Sequence, residues 1–460
     1  MATAQTLRSG TGVAHATTID DAIERIGVGR FQWRLLAVNG LIWAADAMEV
    51  LMIGFLIGPL TSEWNLQPSQ APYIALATFA GMFLGAWLWG LVADRFGRRN
   101  VFLWTVLQTA LFGTLAAFAP NFGIFLALRF LTGAGMGGTL PVDYSIMAEY
   151  LPTKDRGRFL VYLESFWAFG TIAAAALAWA FIPNFAGGWR FLVGASAVLG
   201  LLGFWIRRSI PESPRYLLLQ GRVDEARAVL NQVARINGRQ IEVGQLQAQP
   251  AAPKPGLGAI WGSTLVRRSL LLSVIWFSLS LGYYGIFTWL PQIFIRSGFT
   301  FIRTNVYPLQ LLLALAQVPG YALAAILVDR WGRKPTLITY LIGGALFSFL
   351  FAAATSPVLF VVFSMLLSFT LLGAWGALYV FTPELFPTEV RATGMGWASA
   401  MARVAGMVAP FIGARLLGQS LPIALGVYAA FFVLAGAATL FVGRDTRNVR
   451  LLDRTAEATA

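Results

Sequence analysis

GLVADRFGRR at residues 90–99 and AILVDRWGRK at residues 325–334 are near copies of one another, set 235 positions apart. The same offset pairs Asp94 with Asp329, Arg95 with Arg330, Gly97 with Gly332 and Arg98 with Arg333. Farther along it pairs Glu149 with Glu384, Pro152 with Pro387 and Arg156 with Arg391. A register held all the way from Asp94 to Arg156 marks an internal duplication.

Working outward from the repeat, composition fixes the solvent. The 460 residues are 57% hydrophobic and 12% charged, with a mean hydropathy of +0.67. That is too little charge to cover a water-facing surface of this size. Apolar stretches near the length that crosses a hydrocarbon core of ~30 Å as a helix recur near 31–60, 72–93, 100–119, 121–150, 158–182, 189–208, 268–296, 304–329, 335–354, 357–381, 390–418 and 422–442. An all-α integral membrane protein of twelve transmembrane helices in two pseudo-symmetric six-helix bundles is expected. The bundles are placed at 31–208 and 268–442, with segments 1–30, 209–267 and 443–460 on the cytoplasmic side.

The net charge of +13 raises the question of nucleic acid, and its distribution answers it. With both termini in the cytoplasm, 28 of the 34 Lys and Arg fall on the inner side; only Arg129, Arg190, Arg296, Arg303, Arg403 and Arg415 lie elsewhere. This is the charge bias of membrane topology, and no loop interleaves aromatic and basic residues as a nucleic-acid surface would. Residues 1–30 lack a basic region followed by an apolar one, so no cleavable signal is expected. Thr18 and Asp21 form an approximate capping pair ahead of Ile19, Ile23 and Ile26, which share a helix face expected to lie along the inner membrane surface. The linker stretch PESPRYLLLQGRVDEARAVLNQVARING, starting at Pro211, suits short amphipathic helices, and Ala248–Pro255 reads as flexible. With no Cys and His15 as the only His, disulfides, metal centres and thiol chemistry are not expected. Nothing matches a phosphate loop, so neither ATP nor any other cofactor is implied.

The chain resembles the major facilitator superfamily along nearly its whole length. The G-x-x-x-D-R-x-G-R pattern carried by Gly90, Asp94, Arg95, Gly97 and Arg98 sits, in that family, between the second and third spans; the second copy has Ala325 in place of the first Gly. PESPRYLL at 211–218 resembles the sugar-porter signature. SLSLGYYGIFTWLPQIF at 278–294, however, has no Gln before Gln292, unlike sugar porters. Together with IGVGRFQWRLL at 26–36, this is more similar to bacterial niacin-permease transporters and to their synaptic-vesicle-two and organic-ion relatives. The resemblance implies a twelve-span alternating-access carrier in which spans one, four, seven and ten line the path. Glu149, Arg156, Glu384 and Arg391, with Asp94, Arg95, Gly97, Arg98, Asp329, Arg330 and Arg333, read as a cytoplasmic gate of breakable ion pairs, or as interfacial anchors.

Substrate chemistry is expected where the two halves differ. Asp46, Glu49, Asp143 and Glu164 are acids at membrane depth, and their counterparts are Leu281, Tyr284, Leu378 and Ser399; Arg403 faces the opposite asymmetry, with Ala168 as its counterpart. A lone charge at the bilayer centre costs about 2.5–3.5 kcal/mol, so these groups should share a wet cavity. Ser399 and Arg403 are one turn apart, as are Trp43 with Asp46 and Asp46 with Glu49. Arg403 reads as a carboxylate clamp or as a structural partner for an acid. Two neighbouring carboxylates repel, and a proton on one relieves that repulsion. Asp46, Glu49, Asp143 and Glu164 are therefore candidate proton carriers, with a structural network as the alternative. Arg129, in RFLTGAG, resembles the span-four motif of proton-coupled members, or neutralises a nearby acid. Trp43, Tyr144, Trp167, Tyr284, Phe287 and Trp375 suit stacking on a flat ring, or ordinary packing. The expectation is a monomeric, non-enzymatic importer of a small aromatic anion, nicotinate, with proton symport. Its 31 Arg against 3 Lys suggest the inner membrane of a bacterium. Another aromatic acid, a sugar, an organic cation or a non-transporting receptor are the alternatives.

Overall fold

A computed structural model describes residues 18–207, 210–240, 243–244, 246, 256–387, 390–443 and 445–447. Among these the chain is helical throughout. The first half comprises α1 (Ile19–Ile26), α2 (Arg30–Trp64), α3 (Pro72–Phe96), α4 (Arg98–Ala116), α5 (Phe122–Glu149), α6 (Thr153–Phe181) and α7 (Gly188–Arg207). Then come α8 (Pro214–Leu219), α9 (Val223–Ile236) and a 3-10 turn (Leu257–Trp261). The second half comprises α10 (Val266–Ile295), α11 (Thr300–Thr304), α12 (Val306–Leu315), α13 (Gln317–Arg330), α14 (Arg333–Ala352), α15 (Pro357–Glu384), α16 (Arg391–Leu417) and α17 (Leu421–Phe441). Among the described residues, ten segments are long and apolar enough to cross a membrane.

The duplication is visible in the caps. Asn121 accepts the Ile124 N–H at the start of α5, and its counterpart Ser356 accepts the Leu359 N–H at the start of α15. Gly97 (φ 90°, ψ 151°) and Gly332 (φ 109°, ψ 166°) turn the chain into α4 and α14 with a backbone that glycine alone adopts readily. Behind each stands a carboxylate. Glu212 accepts the Arg99 N–H at 3.2 Å, and Asp445 accepts the Lys334 N–H at 2.7 Å. Arg99 and Lys334 are themselves counterparts. Each half is thus tied at the start of its third long span, α4 or α14, by an acid from the segment that follows its last helix, where the helix dipole favours negative charge.

Two boundaries depart from expectation. The stretch expected as one helix over 304–329 is broken at Ala316 into α12 and α13. Pro319 offers no N–H to the Leu315 carbonyl one turn back and crowds it. Helix α6 starts at Thr153, earlier than the expected 158, because Pro152 stands at its N-cap and fixes the entry. Lys154, Arg156 and Arg158 are therefore helical. The capping pair at Thr18 is a full capping box, with Asp21 N–H donating to Thr18 Oγ1 at 3.1 Å. The Ile19, Ile23 and Ile26 face of α1 is buried inside the protein, close to α9. Asn237, just after α9, accepts the Phe31 N–H and donates to Gln32 and Gly27, which ties the linker to the start of α2.

Within the first half, α3 and α5 interlock through Gly81, Gly85, Gly133 and Gly137. A side chain on any of them would strike the partner's backbone. This four-residue spacing of small residues is how membrane helices gain contact area without a hydrophobic driving force between them. The two halves meet along α2 with α10, α3 with α16, and α6 with α12 and α13. At the end of the bundle away from the termini the approach is tight: a Cβ on Gly54 would lie 2.8 and 2.9 Å from the Phe287 and Thr288 carbonyl oxygens.

Candidate functional site

Buried charge is concentrated around the middle of α2, α5, α6 and α16, and packing divides it into two groups. Glu49 turns into the first half. Its carboxylate takes an ion pair from Arg129 and the Ser196 hydroxyl, while Arg129 also donates to the Glu49 carbonyl (2.9 Å) and to Thr78 (3.3 Å). Arg129 is fully buried, so every part of this cluster is enclosed by α2, α3, α5 and α7. Arg129, expected either in a proton-coupling motif or beside an acid, is placed here against Glu49.

Asp46 belongs to the second group. It is buried within electrostatic reach of Asp143, Glu49 and Arg403. Arg403 projects from α16 and is 4% exposed; its Nη1 donates to the Ser399 carbonyl at 2.9 Å and to the Ser399 hydroxyl. Ser399 thus orients the guanidinium from one turn below. The Nε and Nη2 atoms have no hydrogen-bond partner among the described residues, and neither does Asp46 Oδ2. Tyr284 and Tyr379 lie in the guanidinium's field.

Beside this pair is a narrow cleft between the halves, lined by Glu164, Trp167, Tyr283, Tyr284, Tyr321, Trp375 and Tyr379. Its walls are cross-braced rings. The Trp167 indole donates to the Tyr283 hydroxyl at 3.1 Å across the seam, Trp43 packs on Trp167 at 5.4 Å, and Tyr144 stacks with Tyr379 at 6.0 Å and 22°. Glu164 lies against Trp43, and Asp143 is within its field. The indole nitrogen of Trp375 and the Tyr144 hydroxyl have no hydrogen-bond partner among the described residues, while the Trp43 indole is turned toward the Glu164 carboxylate. The site therefore offers flat apolar walls, one guanidinium edge and several uncommitted polar atoms. That chemistry fits a small planar ligand with a charged end.

The structure brings Trp43, Asp46, Asp143, Tyr144, Glu164, Trp167, Tyr284, Trp375, Ser399 and Arg403 together in this region. Phe287 lies beyond it, packed on Tyr283 at 4.5 Å with the rings tilted by 30°, and it lines a neighbouring cleft. Sequence reasoning passed over Tyr379 and Tyr321. Tyr379 carried a readable signal, since it stands one turn after Trp375 and is the counterpart of Tyr144 235 positions on. Tyr321 carried none beyond its place in an apolar helix.

At the end holding the termini, the second half keeps a compact ion network. Arg333 grips Glu384 with Nε at 3.0 Å and Nη2 at 3.2 Å, Asp329 stands 3.7 Å from Arg333, and Thr446 donates to Glu384. The Arg330 carbonyl accepts from Arg447, and Arg391 donates to the Pro383 carbonyl at 2.9 Å. In the first half Arg156 reaches the Leu151 carbonyl and lies in the field of Arg215, Asp20 and Glu24, and the Arg95 guanidinium sits over Phe96. Glu149 is half-buried at the end of α5. The side chains of Asp94 and Arg98 lie outside the described residues. Arg158 and Asp329 feel one another across the seam.

Comparison with known proteins agrees with this architecture. The niacin transporter NiaP of Acinetobacter baylyi is 41% identical over 394 residues, covering 85% of this chain and 88% of that protein. The putative niacin/nicotinamide transporter NiaP of Bacillus subtilis is 36% identical over 91% of this chain and 98% of its own length. A synaptic vesicle 2-related protein of Xenopus laevis is 34% identical over 94% of this chain and 81% of its own. The inward-open structure of the xylose transporter XylE from E. coli superposes with a TM-score of 0.73 at 18% identity, covering 91% of this chain and 98% of that one, which speaks for the fold alone. The family model described as "Sugar (and other) transporter" matches residues 28–453. This chain accordingly belongs to that family of the major facilitator superfamily, whose members are multi-pass membrane transporters and not enzymes.

Proposed function

We propose that this chain imports a small aromatic organic anion, nicotinate first among them, by alternating access with proton symport. The observation that supports this most is the buried Arg403 edge, whose Nε and Nη2 carry no partner among the described residues while Nη1 is anchored to Ser399. Those two nitrogens present parallel N–H donors matched to the two oxygens of a carboxylate. The ring would lie between Tyr284, Trp43, Trp167, Tyr144 and Trp375. Names of the relatives from Acinetobacter baylyi and Bacillus subtilis point to the same ligand.

Asp46 is the proton carrier in this reading. When Asp46 is ionised, its charge competes for Arg403; a proton on it frees the guanidinium for substrate, and the loaded halves rock to the other side. Asp143 and Glu164 set the surrounding field. The carrier is read as a monomer of twelve spans, six in 31–208 and six in 268–442. Both termini lie in the cytoplasm of a bacterial cell, and the charged ends of α3, α5, α13 and α15 act as the inner gate.

The test is uptake of radiolabelled nicotinate into proteoliposomes with and without an inward proton gradient, with benzoate and glucose as competitors. Gradient-stimulated uptake blocked by benzoate and not by glucose is expected. Arg403→Ala removes two charge-assisted hydrogen bonds of about 1.5–3 kcal/mol each, so affinity should fall roughly a hundredfold or more. Uptake that ignores the gradient refutes the coupling, and ligand binding without accumulation turns the reading to a receptor. A second reading, an organic cation, is favoured by Asp46, Asp143 and Glu164 gathered among aromatic rings. It predicts that Arg403→Ala leaves affinity intact.

A further inference from the structure

Tyr144 and Tyr379 are counterparts at the 235-residue offset, and they touch one another across the seam, ring on ring at 6.0 Å and 22°. The midpoint between two counterparts falls on the axis that relates the halves, and in this fold that axis runs along the membrane normal between the bundles. The stack therefore stands across the path itself. Its depth follows from the helices. Tyr144 and Tyr379 are each five residues from the ends of α5 and α15, at Glu149 and Glu384, about 7.5 Å of helical rise. Asp46 lies sixteen residues beyond the start of α2 and Ser399 eight beyond the start of α16, about 24 and 12 Å by the same measure. The two rings thus separate the Arg403 site from the charged layer at the end holding the termini.

The two rings are not held alike. Tyr379 packs on Trp276 at 4.9 Å and 79° and on Trp375 at 5.8 Å and 36°. Trp276 is itself fully buried, and its indole donates to the Thr382 hydroxyl at 2.9 Å. The counterparts of these two indoles in the first half are Leu41 and Leu140, so Tyr144 lacks that backing. Beside it stands Trp43, edge-on at 6.1 Å and 77°. The Tyr144 hydroxyl is buried with no hydrogen-bond partner among the described residues. A buried hydroxyl left open costs free energy that water would relieve. Tyr144 therefore gains by leaving the stack, whereas Tyr379 would give up two indole contacts. We propose that Tyr144 is the moving ring of a closure across the path, swinging off a fixed Tyr379 to open the site toward the end holding the termini. This rests on the alternating-access reading and not on which ligand is carried. While the rings are stacked, water from that end is kept from Asp46 and Arg403. The closure is built from a duplicated residue, and its asymmetry comes from the indoles that only the second copy has.

The test places 3-fluorotyrosine singly at 144 or at 379 in the full chain, held in lipid nanodiscs and read by fluorine NMR. Residue 144 should give two resonances, or one broadened by exchange that splits on cooling, and residue 379 a single sharp one. A second readout is chemical. The chain has no cysteine, so Ser399→Cys supplies one thiol on the site side of the rings, free of background. Adding Tyr144→Ala should speed modification of the S399C thiol by a charged methanethiosulfonate reagent by about tenfold, the scale of one aromatic pair. Tyr144→Phe keeps the ring and drops only the unbonded hydroxyl, so labelling should stay within about twofold. The proposal is overturned by a single sharp resonance at 144, by exchange at 379 equal to that at 144, by S399C labelling that Tyr144→Ala does not speed, or by Tyr144→Phe labelling as fast as Tyr144→Ala. Should Tyr144→Ala fail to fold, the fluorine spectra of the otherwise unaltered chain decide alone. Both readouts are taken without ligand, so failure of nicotinate uptake alone would refute the anion reading and leave this closure standing.

Discussion

Removing the cation from the enclosed Glu49–Arg129 pair should be among the most damaging single changes to stability in this protein. In Arg129→Leu, the Glu49 carboxylate keeps only the Ser196 hydroxyl, in a pocket where Arg129 is 0% and Glu49 1% exposed. Breaking a buried pair from one side costs about 3–5 kcal/mol, because a charge is left without a partner. At 1.4 kcal/mol per decade this is about two to three and a half powers of ten in the folded population. The double variant Glu49→Leu/Arg129→Leu should recover most of that loss. Both hydroxyls that touch the pair retain backbone acceptors, Ser196 at Val193 (2.7 Å) and Thr78 at Ile74 (3.0 Å), so no polar side chain is stranded. The assay is the surviving monodisperse fraction after heating in detergent, for the parent, both single variants and the double, combined as a thermodynamic cycle. The double variant should also keep gradient-driven uptake, which Asp46→Asn should lose. An Arg129→Leu protein as heat-resistant as the parent, or a double variant as poor as the sum of the singles, would refute the reasoning.

Alanine at Gly332 must adopt a backbone that costs about 1–3 kcal/mol for a residue with a side chain. Its Cβ also falls near the Asp445 carboxylate, so Gly332→Ala should lower heat resistance and lose further ground little when Asp445→Ala is added. A Cβ at Gly54 meets backbone oxygens that cannot swing away; Gly54→Ala should push the halves apart at that end and raise thiol-reagent access to a cysteine placed at Gln292. The hydroxyl and N–H of Thr18 hold the Asp21 carboxyl below its ordinary range. Its contribution to α1 is therefore present at neutral pH and lost as pH falls through that lowered value. Hydrogen exchange over residues 19–26, corrected for intrinsic rates, should show protection that declines in acid and is already reduced in Asp21→Asn at pH 7.

Much of the fold was legible because the duplication doubled every signal. Gly97 and Gly332, or Glu149 and Glu384, confirm one another at a fixed offset, and each pair stands at a helix end. The asymmetric charges were legible for the converse reason: Arg403 against Ala168 stands out only beside its copy. What sequence spacing did not separate was Asp46 from Glu49. Three residues apart, they sit about 60° from one another around the helix, and the packing of α5 and α7 decides that one faces Arg129 and the other Arg403. The ties at Glu212 and Asp445 were hidden by a slip in register, since they are 233 positions apart while the residues they cap are 235 apart. A fixed-offset comparison passes over them.

Those two ties also carry force between parts of the chain that no span connects. Glu212 lies at the start of the linker and Asp445 just beyond the last helix, and each holds the first turn of a helix that begins at a left-handed glycine. A pull on the linker is therefore felt at the start of α4, and a pull on residues 445–447 at the start of α14.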